Sequence, residues 1–189
     1  MLNIKDRQTY LKKYGFYNGE IDGIEGAMTR AAYKTLQSKY FKRKRDIDGI
    51  YGNNTDILLQ NLHRVKTYTK NFELEEFRCG CGGAYCTGFP VLLNVDLLKN
   101  LQKVRDRFGS TIITSGARCT KHNANVGGVT NSRHKSGKAL DIKTAICSTQ
   151  NGRITVMNYW RTLPQFRYTY CNINGNYPNM GNSVHIDVT

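Results

Sequence analysis

The chain has 189 residues, and its 28 lysines and arginines against 14 acidic residues give a formal net charge of +14 at pH 7. A hydrophobic content of 39% excludes a disordered or fibrous chain, because it supplies enough apolar surface for a folded core. The length allows one domain of ordinary size or two small ones. The positive charge indicates a polyanionic partner, and nucleic acid, an anionic membrane surface and an acidic cell-wall polymer all fit that description.

The N-terminal residues bear on where the protein works. No segment has the roughly 20 consecutive apolar residues that a membrane-spanning helix needs. Residues 1–7 are polar and lack the apolar core of a secretion signal. We therefore expect a protein that is made in the cytoplasm of its host without a signal peptide and that reaches a target outside the membrane only after release.

The first third of the chain contains an internal repeat. The pattern I-D-G-I-x-G-x-x-T occurs at residues 21–29 and again at residues 47–55. In each copy the Asp-Gly pair predicts a tight turn with positive φ at the glycine, and the threonine is expected to cap the helix that follows. Apolar residues at helical spacing follow both turns, and a further helix is predicted near residues 8–14. The repeat therefore predicts a small three-helix bundle that ends near Leu62.

This segment resembles the peptidoglycan-binding domain of cell-wall hydrolases, a three-helix domain with the signature Y-x-G-x-x-D-G-x-x-G-x-x-T. The residues that carry the resemblance are Tyr17, Gly19, Asp22, Gly23, Gly26 and Thr29. It implies a peptidoglycan-binding domain at residues 1–65, although the same turns also occur in helical bundles that bind no cell wall. A polar stretch without helical period predicts a linker at residues 66–71.

The rest of the chain, residues 72–189, mixes helices with short strands. Asn94 is expected to cap a helix that Gly109 ends, and another helix is predicted around residues 154–161. Strands are predicted at residues 111–114, 139–143, 167–173 and 183–188. This mixture predicts an α+β domain with a small, mainly antiparallel sheet.

Two of the four histidines lie in patterns that suit a metal site. The segment S-x-H-x-x-G-x-A-x-D-I at residues 132–142 contains His134 and Asp141, and His185 lies in the last predicted strand. Alternation along the two strands places apolar residues on one face and Asp141 or His185 on the other. Two imidazoles and one carboxylate suit a zinc ion whose fourth position stays open to water, as catalytic sites require.

The order of the motifs over residues 72–189 resembles the zinc D-Ala-D-Ala carboxypeptidases and L-alanyl-D-glutamate endopeptidases, which are relatives of the Hedgehog signalling domain. Besides the two histidine motifs, the resemblance rests on F-E-L-E-E-F-R-C at residues 72–79 and on S-G-A-R at residues 115–118. It implies one catalytic Zn²⁺ and hydrolysis of an amide bond by zinc-activated water. The metal ligands that it implies are His134, Asp141 and His185.

Arg118 matches the arginine of the S-G-x-R motif of that family. The resemblance implies that it holds a substrate carboxylate or carbonyl and stabilises the oxyanion, a task that suits its permanent charge and its fork of donors. A structural arginine that ties loops together is the alternative.

The general base is the open question of the site. Several branches of the family carry an acidic residue three positions before the last histidine, where this chain has Asn182. Beyond residue 106 the only carboxylates are Asp141 and Asp187. We therefore expect Asp187 either to act as the catalytic base or to orient His185 from behind the metal.

The six cysteines are Cys79, Cys81, Cys86, Cys119, Cys147 and Cys171. The C-x-C-x4-C cluster together with Cys119 is a candidate for a second, structural metal, but its spacing lacks a paired C-x-x-C. Disulfides formed after release are another alternative. The sequence favours free or packed thiols over both, and it favours a hydrogen-bonding scaffold role over a ligand role for His122.

These features predict a peptidoglycan hydrolase that cleaves a stem-peptide bond involving a D-amino acid. A bacteriophage endolysin is the expected setting, and a host-encoded cell-wall or spore-lytic peptidase is the alternative. A zinc fold without activity that only binds the wall is a further alternative. We expect a monomer whose partners are bacterial peptidoglycan and acidic wall polymers. Nucleic acid, which charge alone suggests, and membranes are not expected as partners.

Overall fold

A computed structural model describes all 189 residues. The helices are α1 (Ile4–Lys13), α2 (Ala27–Tyr40), α3 (Asn53–Tyr68), α4 (Val95–Phe108), α5 (Thr120–Asn125) and α6 (Gln150–Arg161). The strands are β1 (Thr111–Ser115), β2 (Ala139–Thr144), β3 (Phe166–Cys171) and β4 (Val184–Val188). The α+β class predicted from the sequence is confirmed. None of the helices has the length and apolarity to traverse a bilayer.

The four strands form one sheet in the order β1-β2-β4-β3, and every neighbouring pair is antiparallel, as the sequence predicts. The helices α4 and α6 pack against this sheet. The residues Leu140, Ile142, Val184, Ile186 and Trp160 are completely buried in the resulting core. Burial of each such side chain contributes about 1.5–3 kcal/mol, so the sheet is a rigid base for the residues on its other face.

The first repeat is organised around a buried glutamine of α1. The Gln8 side chain is fully buried, and its Nε2 donates hydrogen bonds to Asp22 Oδ1 at 2.7 Å and to the Ile24 carbonyl at 3.1 Å. Its Oε1 accepts from the backbone N–H of Gly23 at 2.8 Å. The loop therefore satisfies the polar atoms of the glutamine amide, which a buried amide requires.

The second repeat reproduces this arrangement around Gln37 of α2. Its Nε2 donates to Asp48 Oδ1 at 2.9 Å and to the Ile50 carbonyl at 3.0 Å, and its Oε1 accepts from the Gly49 N–H at 2.8 Å. Gly49 has φ 76°, as the predicted turn requires. The two copies are thus structural repeats, each closed around one glutamine.

The prediction that Thr29 and Thr55 cap the helices after the turns is wrong. The N-cap residues are Gly26 and Gly52, which have no side chain with which to cap a helix. Each threonine lies inside its helix, buried, where its hydroxyl accepts a hydrogen bond from the glutamine of the same repeat at 3.3 and 3.0 Å respectively. The buried glutamine side chain needs hydrogen-bond acceptors in the interior, and the threonine hydroxyl is one of them.

The helix α3 joins the two parts of the chain. It continues to Tyr68, so residues 66–68 are helical where the sequence predicts a linker. Val65 is fully buried and Tyr68 packs against the core, so the apolar face of the helix continues to its end. Asn61 of the same helix donates to the Val91 carbonyl at 2.9 Å and accepts from the Leu93 N–H at 2.8 Å. One continuous hydrophobic cluster includes residues from both parts.

Candidate metal centre

The candidate metal ligands lie on two neighbouring strands and on the turn before one of them. In the sheet register Asp141 of β2 pairs with His185 of β4, so the two side chains point to the same face. His134 lies on the 3-10 turn Arg133–Ser136, which leads into β2. We refer to these three residues as the histidine cluster.

Gly137 closes the turn that carries His134. Its φ is 68°, and a Cβ at this position would collide with the Leu92 carbonyl. Both the positive φ and the close approach therefore require glycine. The Gly137 carbonyl accepts from the N–H of Asn94, the N-cap residue of α4, at 2.9 Å. The motif glycine thus fixes the turn against the main core.

The ligand atoms of the histidine cluster lie within 4.8 Å of one another. Asp141 Oδ1 is 3.3 Å from His134 Nε2 and 2.8 Å from His185 Nδ1. Ligand atoms on a tetrahedral zinc ion with bonds of about 2.1 Å lie roughly 3.4 Å apart. The three side chains therefore fit a tetrahedral ion that uses three protein ligands and keeps its fourth position open.

Hydrogen bonds decide which atom of each ligand is free. His134 Nδ1 lies 2.8 Å from the Gly116 carbonyl, an arrangement in which Nδ1 carries the proton and Nε2 is available to a metal. Asp141 Oδ2 accepts from Arg118 Nη2 at 2.7 Å, which leaves Oδ1 directed at the histidines. His185 presents Nδ1 to that same oxygen.

The electrostatics of the histidine cluster favour an ionised carboxylate. Burial by itself raises the pKa of Asp141, but its interactions with the His134 and His185 rings outweigh it and hold that pKa well below its ordinary value. For His185, burial lowers the pKa, and the hydrogen bonds with Asp141 and Asp187 outweigh it and raise the pKa. The site therefore stabilises positive charge beside Asp141, and a bound cation would take the place of the His185 proton.

Arg118 lies at the edge of the histidine cluster. Its Nε donates to Ser115 Oγ at 2.9 Å, and its Nη2 donates to Asp141 at 2.7 Å. Its side chain keeps 16% of its surface exposed, and Nη1 is the nitrogen left over from these two bonds. The guanidinium therefore both orients a ligand and offers a donor toward solvent beside the ligand atoms.

Asp187 lies on the far edge of the His185 ring. Its Oδ2 is 3.5 Å from His185 Nε2, whereas the Nδ1 edge of that ring faces Asp141. The carboxylate is 2% exposed and also accepts from Arg167 Nη1 at 3.2 Å. Of the two roles that the sequence leaves open for Asp187, the geometry favours orientation of His185.

Asn182 is directed at a different neighbour. Its Oδ1 accepts from Arg153 Nη1 at 3.1 Å, and the same nitrogen donates to the Cys147 carbonyl at 3.0 Å. Asn182 is therefore a structural amide in this chain.

Tyr170 completes a row of paired residues and was not predicted from the sequence. Ser115 pairs with Asp141, Asp141 with His185, and His185 with Tyr170, so the row crosses all four strands on one face. The Tyr170 ring stacks on the His185 ring with centroids 4.7 Å apart. Alternation along β3 places Tyr170 on the same face of the sheet as the candidate ligands. Only the strand order, which sets β3 beside β4, brings it next to His185.

The structure also brings together Cys79, Cys81, Cys86 and Cys119, which we refer to as the cysteine cluster. The other two cysteines lie apart from it and are buried. His122 contributes its backbone N–H to Cys119 Sγ at 3.4 Å, and its ring packs on Gly80, where a Cβ would lie 2.8 Å from Nε2.

Comparison with known families identifies both parts of the chain. Residues 70–187, more than half of the sequence, match the family model described as Peptidase M15. The chain belongs to this family. Residues 2–56 match a family model described as a peptidoglycan binding domain. No curated protein matches the chain significantly.

As a Peptidase M15 member the protein is a metallopeptidase, and the enzymes of this family depend on zinc. The two matches together indicate a peptidase that acts on peptidoglycan. The resemblance stated from the sequence motifs is thereby confirmed at the level of the family. The donor set of the histidine cluster, two imidazoles and one ionised carboxylate, fits the metal that the family implies.

Proposed function

We propose that the protein is an endolysin-like peptidoglycan hydrolase that cleaves a stem-peptide amide bond involving a D-amino acid. The observation that carries this proposal is the convergence of His134, Asp141 and His185 within 4.8 Å in a chain that also has a peptidoglycan-binding segment. The bond is of the D-Ala-D-Ala carboxypeptidase or the L-Ala-D-Glu endopeptidase type. The match to Peptidase M15 does not distinguish the two types.

In this proposal His134 Nε2, Asp141 Oδ1 and His185 Nδ1 would hold one Zn²⁺. A zinc ion bound there would supply polarisation of the scissile carbonyl and a lower pKa of the attacking water. The protein contributes the fixed positions of the ligands. The Gly116 carbonyl selects the tautomer of His134, and Arg118 holds the second oxygen of Asp141.

Arg118 is proposed to bind the substrate through Nη1. Its other donors are engaged with Ser115 and Asp141, so the guanidinium plane is fixed before substrate arrives. A fixed cation at this position stabilises negative charge on a substrate carbonyl or carboxylate without reorganisation.

Asp187 is proposed as a positioning residue. Its contact with His185 Nε2 at 3.5 Å and its burial support the role of an outer partner that orients the imidazole. Asp187 and Asp141 lie at opposite edges of the His185 ring. Asp187 is therefore remote from the ligand atoms, and this position does not favour direct proton transfer by Asp187 at the scissile bond.

We also propose that residues 1–65 form a three-helix bundle that binds the wall and that residues 72–189 form the catalytic domain. Two observations support wall binding by residues 1–65. The two repeat loops expose the apolar side chains of Ile24 and Ile50, which are 66% and 63% accessible. A cleft of about 180 Å³ lies beside the second loop, with Arg45 and Asn54 among its lining residues. Apolar contacts beside polar groups suit the sugar rings and amides of peptidoglycan.

The hydrolase proposal is tested on purified cell walls. Wild-type protein should release fragments with a new free amine and carboxylate at one stem-peptide bond, which mass spectrometry identifies. A chelator should stop the release, and added zinc should restore it. Fragment release that a chelator does not affect would overturn the proposed chemistry. Retention on walls without any fragments would indicate a binding module instead.

The wall-binding surface is tested with a matched pair of exposed isoleucines. Ile50→Ser should weaken retention on purified walls roughly tenfold, since it removes one apolar contact. Ile112→Ser changes a residue of β1 that is similarly exposed, at 57%, and should leave retention unchanged. Equal effects of the two substitutions would argue against the repeat loops as the binding surface.

A further inference from the structure

The cysteine cluster is assembled by the fold and not by the local sequence alone. Cys79, Cys81 and Cys86 lie on the loop that follows the 3-10 turn Leu74–Phe77, whereas Cys119 is the N-cap residue of α5. The helix α4 and the strand β1 separate the two segments. All four Sγ atoms nevertheless lie within 4.8 Å of one another.

The spacing of the sulfur atoms suits a common ligand. Four sulfurs on a tetrahedral zinc ion, with bonds of about 2.3 Å, lie roughly 3.8 Å apart. The Sγ atoms of Cys81 and Cys86 are 3.5 Å apart, close to this value and far from the roughly 2.05 Å of a disulfide. A disulfide would also use only two of the four converging sulfurs.

The backbone around the cluster is arranged to stabilise charged sulfur. The N–H groups of Cys119, His122 and Gly88 donate to the Sγ atoms of Cys79, Cys119 and Cys86, each at 3.4 Å. Neutral thiols accept hydrogen bonds only weakly, whereas metal-bound thiolates accept them well and are tuned by them. Such donors therefore indicate thiolates at these positions.

An independent observation is an unpaired guanidinium nitrogen beside the cluster. Arg78 Nη1 is buried and has no hydrogen-bond partner. Its guanidinium stacks on Phe89 at 4.7 Å and lies against Gly88, the residue whose N–H binds Cys86. Arg78 as a whole is half-buried, but a buried Nη1 without a partner is stabilised by nearby negative charge. Four neutral thiols supply none, but four thiolates on a divalent ion carry a net charge of −2.

We propose that Cys79, Cys81, Cys86 and Cys119 bind one structural Zn²⁺, with release of their four thiol protons to solvent. The protein occupies all four coordination positions, which is the arrangement of a structural and not a catalytic site. The site shares no ligand with the histidine cluster. It ties the cysteine loop to the start of α5, in place of the free thiols that the sequence favours.

The zinc content of the purified full-length protein tests this proposal. Wild-type protein should hold two zinc ions per chain, and Cys119→Ser and His134→Ala should each hold one. Cys171→Ala removes a buried cysteine outside the cluster and should keep both ions. One zinc ion per wild-type chain, or two in Cys119→Ser, would overturn the proposal. Hydrolysis by a wild-type protein with a single zinc ion would leave the catalytic proposal intact.

Two measurements need no cysteine variant and remain decisive if Cys119→Ser does not fold. Wild-type protein loaded with Co²⁺, and likewise His134→Ala, should show the thiolate-to-cobalt charge-transfer absorption of a tetrathiolate site. Titration of the zinc-loaded wild-type protein with an organic mercurial should release one zinc ion as four thiols react. Absence of the absorption, or a Cys81–Cys86 disulfide found by mass spectrometry in zinc-loaded protein, contradicts the assignment.

Discussion

The histidine cluster and the cysteine cluster are built in opposite ways. The first lies on two hydrogen-bonded strands and a turn that packs on the core, so its three ligands keep their positions through the fold alone. Three ligands of the second lie on an irregular loop that has positive φ at Gly82 and Gly83, and the fourth, Cys119, is the N-cap residue of α5. Three ligands held by the sheet and its adjoining turn leave one position for chemistry, whereas four ligands held mainly by a loop depend on the ion for their arrangement. Loss of metal should therefore affect activity at the first cluster and structure at the second.

The largest expected effect is the loss of activity in His134→Ala. With only two protein ligands left, the histidine cluster should lose its zinc ion, and the release of wall fragments should fall to the background rate. Because the sheet holds the remaining ligands, the circular dichroism spectrum should match that of the wild type. Cooperative unfolding of this variant at ordinary temperature would break the comparison between the two clusters.

A smaller loss is expected for Arg118→Lys. Donation from separate nitrogens to Ser115, Asp141 and, as proposed, the substrate needs a planar guanidinium fork, which lysine does not have. We expect a decrease in kcat of about 10²–10³-fold, measured at saturating zinc. Arg161→Lys changes an exposed arginine of α6 and serves as the control. A change in KM alone would assign Arg118 to binding without a role in the transition state.

Asp187→Asn separates orientation of His185 from base catalysis. An outer partner of a metal ligand typically contributes ~10–100-fold to metal affinity or activity. We expect zinc affinity to fall by that factor and most of the turnover to return when zinc is saturating. Turnover that stays absent at saturating zinc would assign the base role to Asp187.

The smallest effect is expected for Arg167→Ala. The Arg167 side chain is 50% exposed, and an ion pair so open to solvent contributes about 0–1 kcal/mol. Zinc affinity, measured by competition with a chromophoric chelator, should change less than about fivefold, in accord with that free energy. A larger change would show that the outer shell of the histidine cluster extends to the surface of the sheet.

The parts of the fold that depend on local pattern could be predicted from the sequence. The helix α4 begins after Asn94 and ends before Gly109, as the capping residues indicate, because both signals act within one helical turn. The alternation of β2 and β4 likewise places Asp141 and His185 on the face opposite the apolar residues, and the pairing of the strands then sets the two side by side.

The parts that depend on distant contacts could not be predicted in the same way. The stacking of Tyr170 on His185 follows from the strand order, which no local pattern contains. The approach of Cys119 to Cys79 requires the whole path through α4 and β1. The buried position of Thr29 follows from the amide of Gln8, a residue on the preceding helix.

Asn61 has a mechanical consequence for an enzyme that works on an immobile polymer. Its amide clamps α3 to the chain just before Asn94, and Gly137, which closes the turn of His134, is bonded to that same Asn94. A wall-binding surface at the repeat loops is thus connected to the histidine cluster through ordered hydrogen bonds and not through a flexible linker. Under the proposed function, the protein would cleave the wall at a fixed distance from the point at which it is bound.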